Sequence, residues 1–487
     1  MNIAPDYATI EELAKQYNTI PICRELYADV ATPIQLLRRL MTASTQCFLL
    51  ESVEGGERWA RYSFLGYAPT LRVTCREGQV TLQGAQNRVV TTDRPLDVLR
   101  ELLAGRRAPR IPGFPSFTGG FVGAFGYGMI GYAEPSLRLS KGSEPDFDVM
   151  LFERVVAYDH LRQKICVIAN VDAADLQSSY ARALADIQSI CALIADNSPL
   201  PQLPADTAPQ FTCSMSAKRF CAVVERAKEY ILDGDIFQAV LSRRFESAYT
   251  GSLLNAYRVL RTTNPSPYMV YLRMDDREII CSSPETLVRL EEGRLTAFPL
   301  AGSRPRGKTE EQDAVLQEEL LRDEKELSEH NMLVDLARND VGRVAAVGSV
   351  RVAEYLQVQR YSRVMHIASR VEGDLRADRD ALDALAAILP AGTLSGAPKI
   401  RACQIIDELE ASPRGFYGGA IGYVDFAGNL DTCIAIRMAV RAGGKVTVQA
   451  GAGIVADSVP MTEYEESANK AGAVIAAIQR AAEVDAK

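Results

Sequence analysis

Histidine is scarce in this 487-residue sequence: His160, His330 and His366 are the whole complement, with no H-E-x-x-H pattern and no mixed Cys/His cluster. Histidine-ligated metal sites are thereby nearly excluded. Basic excess is missing too. A formal charge of -8 and a pI near 5.3 argue against a nucleic-acid or anionic-membrane surface, which needs cations gathered on one face. No run of 18 uncharged apolar residues occurs, and the start, "MNIAPDYATIEELAKQ", lacks a basic segment followed by an apolar core. A soluble, cytoplasmic chain is expected. The ten cysteines form no CxxC pair, and most lie in apolar runs such as "CVIANV", so they read as reduced core residues. No GxCxG-like turn presents a nucleophilic thiol.

What is present is enough apolar sequence, 47% of residues, for large cores and two or three ordinary domains. From about residue 46 to 170, short β-like runs alternate with glycine-bearing turns, and a helical stretch follows to about residue 195. "DNSPLPQLPADTAPQ", with four prolines and no periodicity, is the linker candidate, 196–211. Beyond it, from 212 to 482, strands alternate with long helical patterns, a mixed α/β or α+β organisation. Two glycine-rich segments, "GGFVGAFGYGMIGY" and "GGAIGYVDFAG", echo each other and hint that the halves have related sheets. Gly126, Gly128 and Gly131 satisfy G-x-G-x-x-G, but a proline follows instead of a helix pattern, so a turn in a β-rich region is the better reading.

The carboxylates are more informative. "SVPMTEYEESANKAGAVIAAIQRAA" reads as a helix introduced by Pro460, with a capping box from Thr462 to Glu465. About 100° per residue places Glu463, Glu466 and Lys470 on the stripe that continues to Val474, so these charged groups should face inward. A second helical pattern, from "EEQDAVL" to "NDVGRV", puts Leu316, Leu320, Leu327, Val334 and Val341 on one stripe, and Glu329 with Leu333 and Leu336 on another. Glu326 sits one turn before Glu329, which should be buried. Oxygen-only ligation by widely separated glutamates suits Mg2+ that keeps waters and completes its shell with an anionic substrate. "PLAGSRPRG", Pro299 to Gly307, has the look of an anion cradle.

Read together, "PLAGSRPRG", "LSEHNMLVDLARNDVGRV", "RYSRVMHIASRV", "GTLSGAPKIRA", "GFYGGAIGY", "DTCIAIRMAV", "VQAGAGIV" and "EYEESANKA" occur in the order seen in chorismate-utilising enzymes. The sequence resembles that family, and within it the component I chains of anthranilate synthases. The resemblance implies two packed β-sheets covered by helices, with 1–195 a β-rich regulatory portion and 212–482 the chorismate-binding part. It implies Mg2+ on Glu329 and Glu466, with Glu326 and Glu463 behind them. It further implies Gly302, Ser303, Tyr417, Arg437, the turn Gly451, Ala452 and Gly453, and Lys470 as substrate contacts. Glu285 would be a general acid, its pKa raised by its setting, with Thr393 near the ring and His366 acting in pyruvate elimination. The arginines of "PLAGSRPRG" would hold the loop.

Relatives that add water carry a lysine base where this chain has Gln238, and aminodeoxychorismate synthases commonly carry a nucleophilic lysine where it has Ala301. With neither lysine, the nucleophile is expected from outside: ammonia made from glutamine by a separate amidotransferase subunit. "LLES", ending at Ser52, and "NPSPYM", with Pro267, Tyr268 and Met269, match the family's elements for tryptophan feedback inhibition. Two alternatives stay open: an aminodeoxychorismate synthase component lacking its lysine, and a catalytically silent, tryptophan-binding regulatory protein.

Overall fold

The computed structural model describes residues 3–29, 31–52, 61–85, 87–204, 209–360, 364–410 and 412–485. Positions 205–208 of the expected linker and 361–363 of the "RYSRVMHIASRV" block lie outside the described residues. Two large sheets of 13 and 12 strands pack face to face, and their core pairings are antiparallel. The fold is therefore α+β, two packed sheets covered by helices.

Several strands are apolar at every position because both of their faces are covered. In Phe147–Phe152, Met150 and Phe152 join the core between the sheets, while Phe147, Val149 and Leu151 face the opposite way. In Tyr268–Met274, Val270, Leu272 and Met274 point between the sheets, and Met269 and Tyr271 pack under helices. The helices Pro33–Ala43, Leu176–Ala195, Leu253–Thr263 and Pro460–Gln479 cover the first sheet through residues such as Leu37, Ile187, Leu254 and Val474. Pro95–Ala104, Glu324–Gly342 and Ala381–Ile388 bury residues in the core outside the second.

Each sheet takes strands from both halves of the sequence. In the first, Gln46–Glu51 pairs with Tyr268–Met274, with Leu49 opposite Tyr271. In the second, Gly120–Phe125 pairs with Ala420–Asp425, with Gly123 opposite Gly422. These are the two glycine-rich segments, meeting at the centre of the molecule. The element order also repeats: strand Thr19–Tyr27, helix Pro33–Ala43 and strands Gln46–Glu51, Tyr62–Tyr67 and Leu71–Arg76 correspond to Gln238–Ala248, Leu253–Thr263, Tyr268–Met274, Arg277–Ser283 and Thr286–Glu291. Both halves close with strands leading to a twenty-residue helix, Leu176–Ala195 or Pro460–Gln479. The halves are thus related by a pseudo-twofold axis through the two junctions. The repeat is broken by residues 298–419, whose helices and strands Leu300–Pro305, Arg351–Arg360 and Val364–Asp374 far exceed the corresponding 92–119.

Three local expectations are corrected. The long helical pattern is two helices, Glu310–Arg322 and Glu324–Gly342, because the Asp323 side chain accepts from the Lys325 and Glu326 amides and starts a new helix. The helix Pro460–Gln479 has Val459 at its N-cap with no side-chain cap, so Thr462 and Glu465 form no capping box. Gly451, Ala452 and Gly453 belong to strand Lys445–Ile454, opposite Ser242, Leu241 and Val240, and not to a turn. The G-x-G-x-x-G glycines follow an antiparallel strand into a short turn and a four-residue helix, Ile130–Ala133, which is no dinucleotide-binding unit.

Candidate active site

Glu285 sits where the chain leaves the first sheet, after strand Arg277–Ser283, and enters the second at Thr286–Glu291. Burial at this corner raises its carboxyl to about 7, against the smaller opposing pull of the Thr393 hydroxyl and the Lys470 charge. The Thr393 Oγ1 donates to Glu285 Oε1 at 3.0 Å. A small, largely apolar cavity lined by Leu333, Leu336 and Ile434 adjoins both side chains.

Carboxylates from two helices face one another beside this acid. Glu329 is raised by burial and by the charges of Glu326 and Glu466, with Lys325 and Lys470 opposing. Glu463 is raised by burial and by Glu466. Lys470 Nζ pairs with Glu466 Oε1 at 2.5 Å one turn along the helix. The pattern had placed these groups inside, yet Glu329, Glu463, Glu466 and Lys470 are half-buried. The fully buried polar side chain of the neighbouring helix is His330, whose Nε2 lies 2.6 Å from Ser369 Oγ and whose pKa burial lowers to about 4. Among the described residues no three His, Cys, Asp or Glu side chains converge to hold a metal. Two half-exposed carboxylates with their charges crowded together fit a hard divalent ion that keeps waters and takes further oxygens from a substrate.

The loop "PLAGSRPRG" forms strand Leu300–Pro305, bulged against its partner between Ala301 and Ser303. Gly302 occupies the bulge at φ 70°, and a β-carbon there would lie 3.1 Å from Glu326 Oε2. Its carbonyl accepts from His366 Nδ1 at 2.9 Å, which makes Nδ1 the protonated nitrogen. Burial first, then Arg437, lower the His366 pKa, so the ring is neutral near pH 7. The arginines hold the loop: Arg304 donates to Asp323 at 2.7 Å and Arg306 to Asp313 at 2.8 Å.

Arg437 lies in the left-handed region at φ 51°, unusual for a side chain of its kind and common at functional positions. Its Nη1 donates to the Lys470 carbonyl at 3.2 Å. Tyr417 is raised to about 12 chiefly by burial, with Arg437 and Arg414 opposing, and its site adjoins Gly451. A β-carbon on Gly451 would stand 2.4 Å from the Leu241 carbonyl oxygen, and one on Gly453 2.7 Å from Gln238 Nε2, so neither position admits a side chain as the chain now stands. Ala452 turns its methyl away into a cluster with Phe220 and Ile405. Gln238 is buried with its Oε1 unpaired. Behind this wall lies an ion pair missed in the sequence, Glu410 with Arg414, whose side chains are 4% and 2% exposed. Glu410 accepts from the Ser242 amide at 2.7 Å, and Arg414 stands 5.7 Å from the Tyr417 ring. Only a buried partner on each side could have signalled this pair.

Ser52, Pro267, Tyr268 and Met269 come together elsewhere, lining a cavity of about 100 Å³ between the sheets beside the junction of the halves. Glu51, Arg61, Arg289 and Asp431 are its charged lining residues, none of them singled out beforehand. Tyr268 donates to Asp431 at 2.7 Å and lies 3.0 Å from Thr286 Oγ1, next to Glu285. Across the pseudo-twofold axis, register sets Asp148 in the place of Asp431 and Met274 in that of Ser52. There the chain fills its own niche: Arg72 bonds Asp148 at 2.9 and 2.7 Å and the Met274 carbonyl at 3.3 Å.

No helix among the described residues is long and apolar enough to cross a membrane. Residues 33–476 match the chorismate binding enzyme family. The chain is 47% identical to anthranilate synthase component 1 of Acetivibrio thermocellus over 98% of its own length and 99% of that protein, and 45% identical to that of Aquifex aeolicus over 99% of each. The crystal structure of anthranilate synthase component I from Streptococcus pneumoniae TIGR4 superposes with a TM-score of 0.78 at 36% identity, covering 93% of this chain and 99% of that one. With its fold, its length and its ordered motifs shared in this way, the chain belongs to the chorismate-binding enzymes.

Proposed function

We propose that this chorismate-utilising enzyme is the synthase subunit that converts chorismate and ammonia to anthranilate and pyruvate. The observation that carries the reading is Glu285, its carboxyl raised to about 7 by its setting, beside a facing set of half-exposed carboxylates, Glu329 and Glu466. Mg2+ held by those two would supply a positive anchor for the ring carboxylate of chorismate. Arg437, Lys470 and the amides along Gly451–Gly453 would take the enolpyruvyl carboxylate, with Tyr417, Gly302 and Ser303 closing around the ring. Glu285, oriented by Thr393, gives its proton to the departing C4 hydroxyl while ammonia adds at C2. The two anionic carboxylates of the substrate push its pKa further up. His366, neutral and held by the Gly302 carbonyl, would serve the elimination of pyruvate.

Gln238 cannot take a proton from water, and Ala301 offers no amine. Both favour ammonia over the alternatives. A glutamine amidotransferase subunit would supply it, in a cytoplasmic setting. The relatives' designation as component 1 supports a second component. The cavity at Ser52 would hold tryptophan as a feedback inhibitor. Arg72 on Asp148 and the Met274 carbonyl models how an ammonium group would sit on Asp431 and the Ser52 carbonyl. The portion 1–195 would then be regulatory by lending one wall of that cavity.

Purified chain, chorismate, Mg2+ and ammonium salt at about pH 8.5 should yield anthranilate, identified by fluorescence and chromatography. Isochorismate, a 4-amino product or no turnover would each refute the proposal. At fixed free ammonia, activity should decline as pH rises through the Glu285 pKa, because the acid loses its proton. Glu285→Gln should lower kcat by about 10²–10⁴-fold at every pH. Glu466→Gln should raise the Mg2+ half-saturation by at least about tenfold with an unchanged circular dichroism spectrum. Asp431→Asn, which removes the carboxylate charge on which the ammonium group would sit, should weaken tryptophan inhibition, measured by titrating the inhibitor.

A further inference from the structure

Two motif residues remain without a part in this chemistry: Asp340 of "ARNDVGRV" and Lys399 of "GAPKIRA". They meet in the interior. Lys399 Nζ bonds Asp340 Oδ2 at 2.7 Å and the Ile388 carbonyl at 3.0 Å. Their side chains are 8% and 5% exposed. Nothing about chorismate or the metal requires a charge pair at this depth.

The helix Glu324–Gly342 explains its place. Glu329, Leu333, Leu336 and Asp340 follow one another at i, i+4, i+7 and i+11, which puts all four on one face. Glu329 stands at the end of that face nearest the carboxylate cluster. Asp340 stands at the other end, about 16 Å along the axis. Between them, Leu333 and Leu336 line the cavity shared with Glu285 and Thr393, and Asp340 lines it too. A second contact is independent of the charges. Gly392, next to Thr393, lies so close that a β-carbon on it would stand 2.0 Å from Leu336 Cδ2. Lys399 opens the helix Lys399–Leu409, seven residues after Gly392, and its bond to Ile388 reaches the last residue of Ala381–Ile388.

We infer that Asp340 and Lys399 are positioning residues, their ion pair clamping the helix face that carries Glu329 against the turn that carries Thr393. The carboxylate end and the acid end of the site are thereby kept at one separation. This rests on the proposed roles of Glu329 and Glu285. The clamp acts at a distance: a small rotation of the helix about its contact at Gly392 moves Glu329 in one direction and Asp340 in the other.

The test uses the full chain in the ammonium-driven reaction, with kcat, Mg2+ half-saturation and thermal midpoint measured for Lys399→Met, Asp340→Asn and Gly392→Ala. Each is expected to raise the Mg2+ half-saturation by about tenfold and to lower kcat. Asp340→Asn, which keeps a hydrogen-bond acceptor, should be the mildest. Because Gly392→Ala leaves the charges in place, it carries the test if Lys399→Met does not fold. Adding Leu336→Ala to Gly392→Ala, which removes the colliding methyl, should restore Mg2+ half-saturation toward the parent. Folded variants with an unaltered Mg2+ half-saturation, or no recovery in the double variant, would reduce the pair to a stabilising contact and overturn the inference. A parent chain that makes no anthranilate would overturn the functional reading, and this inference with it.

Discussion

A carboxyl group raised to about 7 has to be kept largely from water, and at Glu285 that exclusion is shared by every layer of the protein. The residue occupies a corner where the chain passes from one sheet to the other. Below it lies the apolar seam between the sheets. Above it are the Thr393 turn and the Leu333–Leu336 face of the helix that carries Glu329. One desolvated group therefore depends on two sheets, an inserted segment and the junction between the halves. The same low polarity strengthens its interaction with Lys470, which is why a partly exposed cation still registers on it.

The duplicated framework shows what had to be added to make a site. In the first half Thr70 stands in the place of Glu285, register matches Arg154 to Arg437, and helix position matches Asp186 to Lys470. Arg154 bonds the Ala68 carbonyl at 2.8 Å and Asp186 at 3.2 Å, closing the space with its own charges. The second half keeps an arginine at that position but has a lysine in place of its acidic partner, so Arg437 has no carboxylate there and Lys470 pairs instead with Glu466. Residues 298–419 then bring in Gly302, Glu326, Glu329, His366, Thr393 and Tyr417. Polar groups of the framework and of the insertion meet only in the second half.

Much of this was legible in the sequence, because the site is written in short blocks whose residue types have few other uses. The two carboxylate helices were visible from periodicity alone. Their depth was not: a stripe shared by Glu466 and Val474 reports direction around an axis, whereas exposure also depends on what lies opposite, and Glu466 is half-exposed where Val474 is fully buried. The break at Asp323 was hidden because the flanking residues on either side keep a helical pattern, and a single capping carboxylate decides between one helix and two. Gly451 to Gly453 resembled a turn by composition, yet they continue a strand whose neighbour, with Gln238 over Gly453, leaves no room for side chains. The two sheets shared between the halves could only be hinted at by two glycine-rich echoes, since pairing over some 300 residues leaves no local trace.

That sharing also bears on how the chain comes to be folded. Strand Met438–Ala442 separates Arg277–Ser283 from Lys445–Ile454, and among the described residues Ala420–Asp425 joins Leu430–Ile434 to the first-half strands of the second sheet. Neither sheet can be completed until the last fifth of the chain has been made. On the ribosome, then, the early strands wait with their edges open, and contacts of this sequence separation form slowly. The arrangement that shields one glutamate from water in the finished protein leaves long apolar strands exposed to it during synthesis.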